Sequence, residues 1–382
     1  MFFTEDNEAV RQLARGFAEN TLAPAAAEID RTHVIPREII NTMSEVGLLG
    51  MKIPEEYGGA GMDNRSYVLA IEEISRKSAT MGGYLSSTSS LAVTAILLAA
   101  TEEQKHKYLP GVPTGERFIS FALTEPGAGS DAGGIKMTAI KDGDAYVLNG
   151  RKCFISGAPI AQTAVVFART GLHSGSHGIT AFILDMDSPG VFRGKDEERM
   201  GVHGLPTGDI VLENVRVPKE NILGQVNFGF IIAMKTLCIG RVGIAAQGVG
   251  IAQGAIDEAV SYVKKRTQFG KKLSEFQNTQ FSLAEMETQL NAARLLTYNA
   301  AWKLDNGEDI TKESAMAKLM SADVSVRIVD RALQMHGGYG YSQECTIERL
   351  YRDVRILPLY EGTSEVQKMI IAERMLRDGD TN

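Results

Sequence analysis

The chain has 382 residues, of which 44% are hydrophobic, so it can bury a large core and divide into two or three domains. Its formal charge of -7 and its pI near 5.6 offer no basic surface to a nucleic acid or an anionic membrane. Three widely spaced cysteines (Cys153, Cys238 and Cys345) fit neither a disulfide framework nor a Cys-x-x-Cys metal site, and they indicate a reducing compartment.

Targeting, membrane and metal signals are weak. The amino terminus lacks a basic segment followed by an apolar run, and no later stretch is expected to be apolar for the length of a bilayer. We therefore expect a cytoplasmic protein. No metal site is predicted, because the histidines are scattered, and His173 and His177 lie in a Gly/Ser-rich loop where solvated turn residues are expected. No P-loop and no Gly-x-Ser-x-Gly motif is present.

Helical periodicity dominates the first part of the chain. Apolar residues recur at three- and four-residue steps from Val10 to Phe17 and from Ile40 to Leu49, and a further helix is predicted from Tyr67 to Lys77. The stretch from Tyr84 to Leu98 is apolar or small nearly all round, which predicts one buried helix. Its serines between Ser86 and Ser90 could leave room for a ligand or could serve close helix packing.

The pattern changes to short strands between residues 115 and 225. The clearest signal is the Asn149-Gly150 pair between two β-prone arms, which predicts a hairpin turn. Further strands are predicted from Thr163 to Ala168, from Ile179 to Met186, and from Asp209 to Val217, before Pro218. A small antiparallel β domain is therefore predicted inside a helical protein.

Helical periodicity returns after Gly229, most clearly in the apolar stripe from Leu283 to Ala300. The complete layout is an N-terminal helical domain at 1–114, a middle β domain at 115–227 and a C-terminal helical domain at 228–382.

Four segments have compositions suited to a ligand, although each also has an ordinary structural explanation. The loop 122–134 is rich in glycine and small hydroxyl residues, which can hydrogen-bond a flat or anionic ligand or can simply end a hairpin. Arg266 follows a helix and suits a diphosphate, unless it is a solvated helix end. The segment 334–341 has more glycines than a C-cap needs, and Arg241 lies on a largely apolar helix.

The fifth segment, 359–367, carries a candidate general base. It places Glu361 just ahead of a glycine, a threonine suited to capping, and an apolar-periodic helix that starts near Val366. A carboxylate there could be desolvated and tuned as a base, or it could simply complement the helix dipole. The expected apolar walls are Leu357, Leu359 and Tyr360.

In this order and spacing, the segments resemble one family over the whole chain, the acyl-CoA dehydrogenases. The likeness rests on residues 122–134, 334–353 and 360–365, with further matches at 53–59 and 266–270. It implies a mainly α fold with a central antiparallel β domain, built as a helical domain, a β-barrel-like domain and a four-helix bundle. It also implies FAD as the cofactor and the oxidation of an acyl-CoA thioester to the 2-enoyl-CoA.

The resemblance implies a role for each matched position. Glu361 removes the α-proton, its main-chain amide and the flavin ribityl hydroxyl stabilise the developing enolate, and FAD accepts the β-hydride. In other branches of the family the base occupies the position before the arginine of the earlier helix, which here is Gly240. The implied substrate contacts are Ser130, Arg241, Tyr360 and Gly362.

The implied cofactor contacts fall into groups. The flavin would be lined by Phe121, Leu123, Thr124, Ser130, Phe154, Ile155 and Ser156. The dinucleotide portion would be reached by Arg266, Gln268, Phe269 and Gln277, with Gln334, Gly337 and Gly338 coming from a neighbouring subunit, and Thr363 and Glu365 on the adenosine side. Two positions depart from the family pattern: Cys238 replaces a common aspartate that contacts CoA, and His203 replaces a frequent basic residue.

The resemblance further implies a homotetramer, as a dimer of dimers, that passes electrons to an electron-transferring flavoprotein. A short or branched acyl group is expected, but the same site could run backwards as a cyclic or aryl-acrylyl enoyl-CoA reductase. The serines at 86–90 are compatible with a bulky acyl group. A non-catalytic helical scaffold would predict a lost base or a damaged flavin loop, and both are intact. An acyl-CoA oxidase is less expected, because those chains usually carry an additional C-terminal domain.

Overall fold

The computed structural model describes residues 3–171 and 175–378, so His173 lies outside the described residues. Helices occupy both ends of the chain and strands the middle. The N-terminal helices are α1 (Glu5–Phe17), α2 (Ala23–Thr32), α3 (Arg37–Glu45), α4 (Asn64–Lys77), α5 (Ala79–Ser89), α6 (Leu91–Ala99) and α7 (Glu102–Tyr108). A π-helical turn at Ala18–Leu22 joins α1 to α2.

The middle of the chain contributes the strands β1 (Ile119–Ala122), β2 (Thr138–Asp142), β3 (Ala145–Ser156), β4 (Thr163–Arg169), β5 (Ile179–Asp185), β6 (Val191–Arg193), β7 (Thr207–Pro218) and β8 (Ile222–Leu223). The C-terminal elements are α8 (Gly229–Lys265), β9 (Thr267–Gln268), β10 (Lys271–Lys272), α9 (Gln277–Asp305), α10 (Thr311–His336), α11 (Thr346–Val354) and α12 (Ser364–Asp378). The domain boundaries at 114/115 and 227/228 stay predictions.

Polar side chains fix where several of the N-terminal helices begin. Thr4 and Asn7 form a capping box at the start of α1, and Asp63 accepts a hydrogen bond from the backbone N–H of Ser66 at the start of α4. Ser78 caps α5 in the same way. These caps satisfy backbone groups that the first turn of a helix cannot pair by itself.

The apolar stretch around Tyr84 corrects two expectations. It forms two helices rather than one, because the chain breaks at Ser90, where φ is -119° and ψ is -100°. Two helical stretches, Ala79–Ala99 and Gly229–Lys265, do reach the length and hydropathy of a membrane span. However, 78% and 61% of their most apolar windows are buried inside the protein, which is typical of core helices.

Strands β1 to β8 form one sheet in the order β6-β7-β3-β2-β4-β5-β8, with β1 paired beside β4, while β9 and β10 pair with each other. The predicted antiparallel β domain is confirmed, with one exception: β4 pairs in parallel with β1 and, by one residue, with β2. Alternate side chains of β4 and β5 enter the core on both faces, since every residue from Thr163 to Ala168 is buried.

The predicted Asn149-Gly150 hairpin is wrong. Both residues lie inside β3, and the chain reverses around Gly143, where φ is 61°. A register shift between Leu148 and Gly150 marks a β-bulge instead of a turn. Glycine is required there because a Cβ at Gly150 would lie 2.9 Å from the Cα of Met137.

A buried ion pair holds the glycine-rich loop against the sheet. Lys152 is fully buried on β3, and its Nζ donates to Glu125 Oε1 at 2.8 Å and to the carbonyl of Leu123 at 3.0 Å. Glu125 also accepts hydrogen bonds from the backbone N–H groups of Lys136 and Met137, at 2.6 and 2.9 Å. One carboxylate therefore closes the loop from residue 123 to residue 137.

We predict that Lys152→Met lowers the free energy of unfolding by about 3–5 kcal/mol, because it leaves the buried Glu125 carboxylate without its counter-charge. Chemical unfolding monitored by circular dichroism measures the loss. Lys141→Met on the neighbouring strand is the matched control: Lys141 is exposed, so a change within about 0.5 kcal/mol is expected. Equal midpoints for the two variants would contradict this role of the pair.

Candidate active site

Glu361 lies on a strained turn between α11 and α12. Its φ is 51° and that of Gly362 is 94°, so two consecutive residues adopt left-handed backbone. For a residue with a Cβ, that conformation costs roughly 1–2 kcal/mol, which surrounding contacts must offset. Thr363 begins the next helix as predicted, because its Oγ1 accepts a hydrogen bond from the N–H of Val366 at 3.4 Å.

Side chains from three helices hold the carbonyl groups of this turn. Arg241 on α8 donates from Nε to the carbonyl oxygen of Glu361 at 3.3 Å. Lys318 on α10 donates to the carbonyl oxygen of Gly362 at 2.7 Å. Gln367 on α12 donates to both, at 3.2 and 2.8 Å. The backbone conformation of Glu361 is therefore set by α8, α10 and α12 together.

The carboxyl group of Glu361 is desolvated. Its Oε2 atom is buried and has no hydrogen-bond partner among the described residues. Burial raises the pKa of Glu361 to about 7, against the opposing positive charges of Arg241 and Lys318. A carboxyl group with a pKa near neutrality can both take and return a proton at physiological pH.

Gly240 lies directly against this carboxyl group. A Cβ built on Gly240 would be 2.5 Å from Glu361 Oε2 and 2.9 Å from Leu91 Cδ2. The two positions at which the resemblance implies a base therefore converge on one place in this chain, and of the two only Glu361 carries a carboxylate. Of the expected walls, Leu357 is buried, whereas Leu359 is 48% exposed and does not desolvate the carboxyl group.

The serine-rich region reaches the same site. The Tyr67 hydroxyl donates to Ser86 Oγ at 3.3 Å and packs against Gly243, one turn of α8 after Gly240. Burial raises the pKa of Tyr67, and the negative charge of Glu361 adds to the effect. Tyr360 is half-buried, and its hydroxyl donates to Gln247. Tyr67 therefore links Ser86 of α5 to the surroundings of the candidate base.

The predicted flavin-lining residues differ in exposure. Phe154 has a φ of 56° and is 68% exposed, at a register shift of β3 between Lys152 and Ile155. This irregularity turns an aromatic ring outward, where it can stack on a flat ligand. Ile155 and Leu123 are 2% and 6% exposed, so their side chains belong mainly to the core rather than to an open binding surface.

The two predicted flavin segments are joined by one backbone hydrogen bond and one hydrogen bond from a serine hydroxyl. The N–H of Cys153 donates to the carbonyl of Thr124 at 3.0 Å, and Ser120 Oγ donates to the carbonyl of Ser156 at 2.8 Å. The structure thus brings the end of β1 beside the end of β3. Phe121, Thr124 and Ser156 are half-buried, while Ser130 is exposed.

A second site lies beyond the far end of α8, in a cavity of about 550 Å³. Its lining includes Arg266, Gln268, Gln334, Gly337, Gly338 and Tyr339. The Arg266 guanidinium lies over the Tyr339 ring, 5.7 Å from its centroid. A Cβ built on Gly337 or Gly338 would meet no atom within 4 Å, so both glycines border open space.

The cavity brings two groups of predicted cofactor contacts together within one chain. Gln334, Gly337 and Gly338 line it beside Arg266 and Gln268, and their approach to a cofactor bound by a neighbouring subunit stays a prediction. Phe269, which is 94% exposed, and Gln277 lie on the surface and are not among the lining residues.

The two sites of one chain are far apart. Arg241 lies near Glu361, and Arg266 directly follows α8, so the helical rise of 1.5 Å per residue separates them by about 37 Å. Thr363 and Glu365 lie at the Glu361 end. A single dinucleotide beside Glu361 would not reach the cavity of the same chain.

The two residues that depart from the family pattern, Cys238 and His203, each contact identified neighbours. Cys238 is half-buried, and its Sγ lies 3.5 Å from Ser314 Oγ on α10. His203 lies 2.9 Å from Asp30 through Nδ1 and stacks on His33 at 4.0 Å, so it joins the loop before β7 to α2.

Sequence reasoning missed Lys318, Gln367 and the pair Glu125–Lys152. For Lys318 a signal was present, since it stands among small residues on α10 where a solvated lysine would not be expected. The partner of Lys152 follows only from the tertiary structure.

Comparison with known proteins gives the family. Three models match consecutive parts of the chain: Acyl-CoA dehydrogenase, N-terminal domain (residues 4–116), middle domain (120–215) and C-terminal domain (227–376). A 3-(aryl)acrylate reductase of Clostridium sporogenes is 56% identical over 377 residues, which cover 99% of this chain and 100% of the relative.

The Caffeyl-CoA reductase-Etf complex subunit CarC of Acetobacterium woodii is 50% identical over 378 residues, which cover 99% of this chain and 100% of the relative. The solved structure of butyryl-CoA dehydrogenase from Megasphaera elsdenii matches with a TM-score of 0.95 at 43% identity, over 98% of this chain and 99% of that one. The chain therefore belongs to the acyl-CoA dehydrogenase family, and it is an FAD-dependent oxidoreductase with the mainly α fold and central β domain that the sequence predicted.

Proposed function

We propose that this enzyme interconverts an acyl-CoA thioester and its 2-enoyl-CoA, with Glu361 transferring the α-proton. The observation that carries the proposal is the Glu361 carboxyl group, whose buried Oε2 atom has no hydrogen-bond partner in the part of the chain that the structure describes. Burial raises the pKa of this group to about 7. A carboxylate in water is a poor base toward an α-proton, and burial makes it a stronger one. FAD, when bound, supplies the hydride chemistry at the β-carbon.

The turn also offers a donor for the thioester oxygen. Its backbone hydrogen bonds are donated by Tyr360 and Ser364, to Ile356 and Pro358, and the N–H of Glu361 has no acceptor among the described residues. An N–H beside the base can stabilise the negative charge that develops on the thioester oxygen as the proton leaves. Arg241, which is 5% exposed, keeps positive charge near the same place.

The residues present fit FAD. The exposed Phe154 ring suits one face of the isoalloxazine, with Phe121, Thr124, Ser130 and Ser156 beside it. In the cavity beyond the far end of α8, Arg266 and the two glycines that border open space suit a diphosphate. Because the two sites of one chain are too far apart, we propose that FAD is shared between two copies, consistent with a homotetramer built as a dimer of dimers.

We propose that the physiological direction is reduction of a 2-enoyl-CoA that carries an aromatic group. The support is the activity in the names of the two relatives at 56% and 50% identity, together with the small side chain of Ser86, which accepts a hydrogen bond from Tyr67, a residue on which the charge of Glu361 acts. The second candidate is dehydrogenation of a short-chain acyl-CoA, which the likeness to butyryl-CoA dehydrogenase favours.

The electron partner in this proposal is an electron-transferring flavoprotein, because one relative is named as a subunit of a complex with Etf. A cytoplasmic location completes the proposal, and the three free thiols at Cys153, Cys238 and Cys345 support a reducing compartment.

We predict that purified protein loses its flavin absorbance when an acyl-CoA substrate is added without oxygen, and that Glu361→Gln abolishes this. The variant should retain FAD and bind the thioester, while the rate of bleaching falls by about 10²-fold or more, since the amide cannot accept the proton. Glu373→Gln, an exposed position on α12, is the control with unchanged bleaching. Bleaching by Glu361→Gln at the parent rate would place the base elsewhere.

The two directions should show opposite pH dependence. Dehydrogenation requires ionised Glu361, so its kcat/KM should rise with pH and level off above about 7. Reduction requires the protonated acid, so its kcat/KM should fall as the pH rises through the same value. Stopped-flow measurement of both half-reactions on one preparation gives both profiles. Profiles that rise together would exclude a single acid-base group.

A panel of thioesters separates the two substrate classes. If the site accepts aromatic groups, phenylpropanoyl-CoA should bleach the flavin with a kcat/KM at least about tenfold above that of butyryl-CoA, because the added ring gains apolar burial. The opposite order would favour the short-chain candidate.

A further inference from the structure

Lys318 is the least expected charged residue in the C-terminal helices. It is 0% exposed on α10, although lysine is almost never fully buried without a partner. Burial lowers its pKa to about 8, and the nearby negative charge of Glu361 acts in the opposite direction. Its Nζ donates a hydrogen bond to the carbonyl oxygen of Gly362, the residue that follows Glu361.

The contact lies at a strained turn of the chain. Glu361 and Gly362 both have positive φ, and a strained turn persists only when its surroundings determine it fully. At 2.7 Å, the ammonium group makes the shortest of the hydrogen bonds that hold these two carbonyl groups. Gln367 reaches the same oxygen at 2.8 Å but carries no charge.

The charge of Lys318 also acts on the carboxyl group itself. The groups that face Glu361 and Lys318 come from every element packed around the turn: Tyr67 on α4, Arg241 on α8, Asp323 on α10, Tyr360 beside Glu361, and Glu365 on α12. Of all these groups, counting Lys318 itself, only Arg241 and Lys318 are cations. Removing one of them therefore takes away one of the two positive charges that oppose the effect of desolvation on Glu361.

We propose that Lys318 is a positioning residue for the reaction: it fixes the turn that carries Glu361 and supplies one of two buried charges that keep this carboxyl group able to ionise. The inference rests on the proposed function of Glu361. It differs from a packing role, in which the lysine stem fills the core and its charge does nothing for the base.

The test compares Lys318→Met with Gln367→Leu in the FAD-loaded enzyme. Both variants remove a hydrogen bond to the Gly362 carbonyl, but only the first removes a charge. For dehydrogenation by Lys318→Met we expect kcat to fall about tenfold or more at pH 7, with KM nearly unchanged. We also expect the rising limb of the pH profile of dehydrogenation to shift to higher pH by about one unit or more. Gln367→Leu should lower kcat without moving the limb.

Lys318→Arg serves as the rescue, because it restores the charge and should return the limb toward that of the parent. If Lys318→Met fails to fold, Lys318→Gln replaces it, since the amide can keep a hydrogen bond but not the charge. A folded, FAD-loaded Lys318→Met or Lys318→Gln enzyme whose limb matches that of the parent overturns the proposal.

An infrared titration tests the effect of Lys318 on the ionisation of Glu361 without relying on turnover. The protonated carboxyl band of Glu361, assigned by its loss in Glu361→Gln, should persist to higher pH in Lys318→Met than in the parent and Gln367→Leu. If Glu361→Gln retains activity, the proposed function fails, yet the titration still reports whether Lys318 controls the ionisation of Glu361. If the carboxyl band disappears at the same pH in Lys318→Met as in the parent, the proposed coupling between Lys318 and Glu361 is overturned.

Discussion

The structure depends on a balance at one carboxyl group, between the desolvation of Glu361 and two buried cations that approach it. Neither cation satisfies Oε2 by a hydrogen bond: Arg241 and Lys318 donate instead to the carbonyl oxygens of Glu361 and Gly362. A direct ion pair would hold the carboxylate ionised and weakly basic. Charges held on these backbone carbonyl groups oppose desolvation only in part, and they leave Oε2 without a partner among the described residues.

The rest of the fold positions the groups around Glu361. Helix α8 packs against α4, α6, α9 and α10, and glycines at positions 240 and 243 bring its backbone against Glu361 and Tyr67. Any larger residue at Gly240 would displace the carboxyl group. On the other side, the buried Glu125–Lys152 pair holds the loop after β1, and the bulge in β3 presents Phe154. The helices therefore position the candidate base, and the sheet presents an exposed aromatic ring.

Local patterns in the sequence predicted much of this. The helix, strand and helix layout follows from residue periodicity. The place of Glu361 before a capped helix allowed either a base or a partner of the helix dipole, and only the family resemblance implied the base. The sequence could not show that Asn149-Gly150 forms a bulge, because a turn dipeptide and a bulge dipeptide look alike until the partner strand is known. It also could not show that Leu359 faces outward, or that Lys318 and Gln367 converge on the turn from different helices. Those are contacts between residues distant in the chain, which spacing does not encode.

Exchange of hydrogen at the α-carbon tests the central claim most directly. Incubating the FAD-loaded enzyme with a saturated acyl-CoA in D₂O, without an electron acceptor, isolates proton abstraction from hydride transfer, and mass spectrometry counts the incorporated deuterium. The account predicts α-deuteration by the parent enzyme and a rate lower by about 10²-fold or more in Glu361→Gln. Deuteration by the variant at the parent rate would contradict it, because some other group would then be removing the proton.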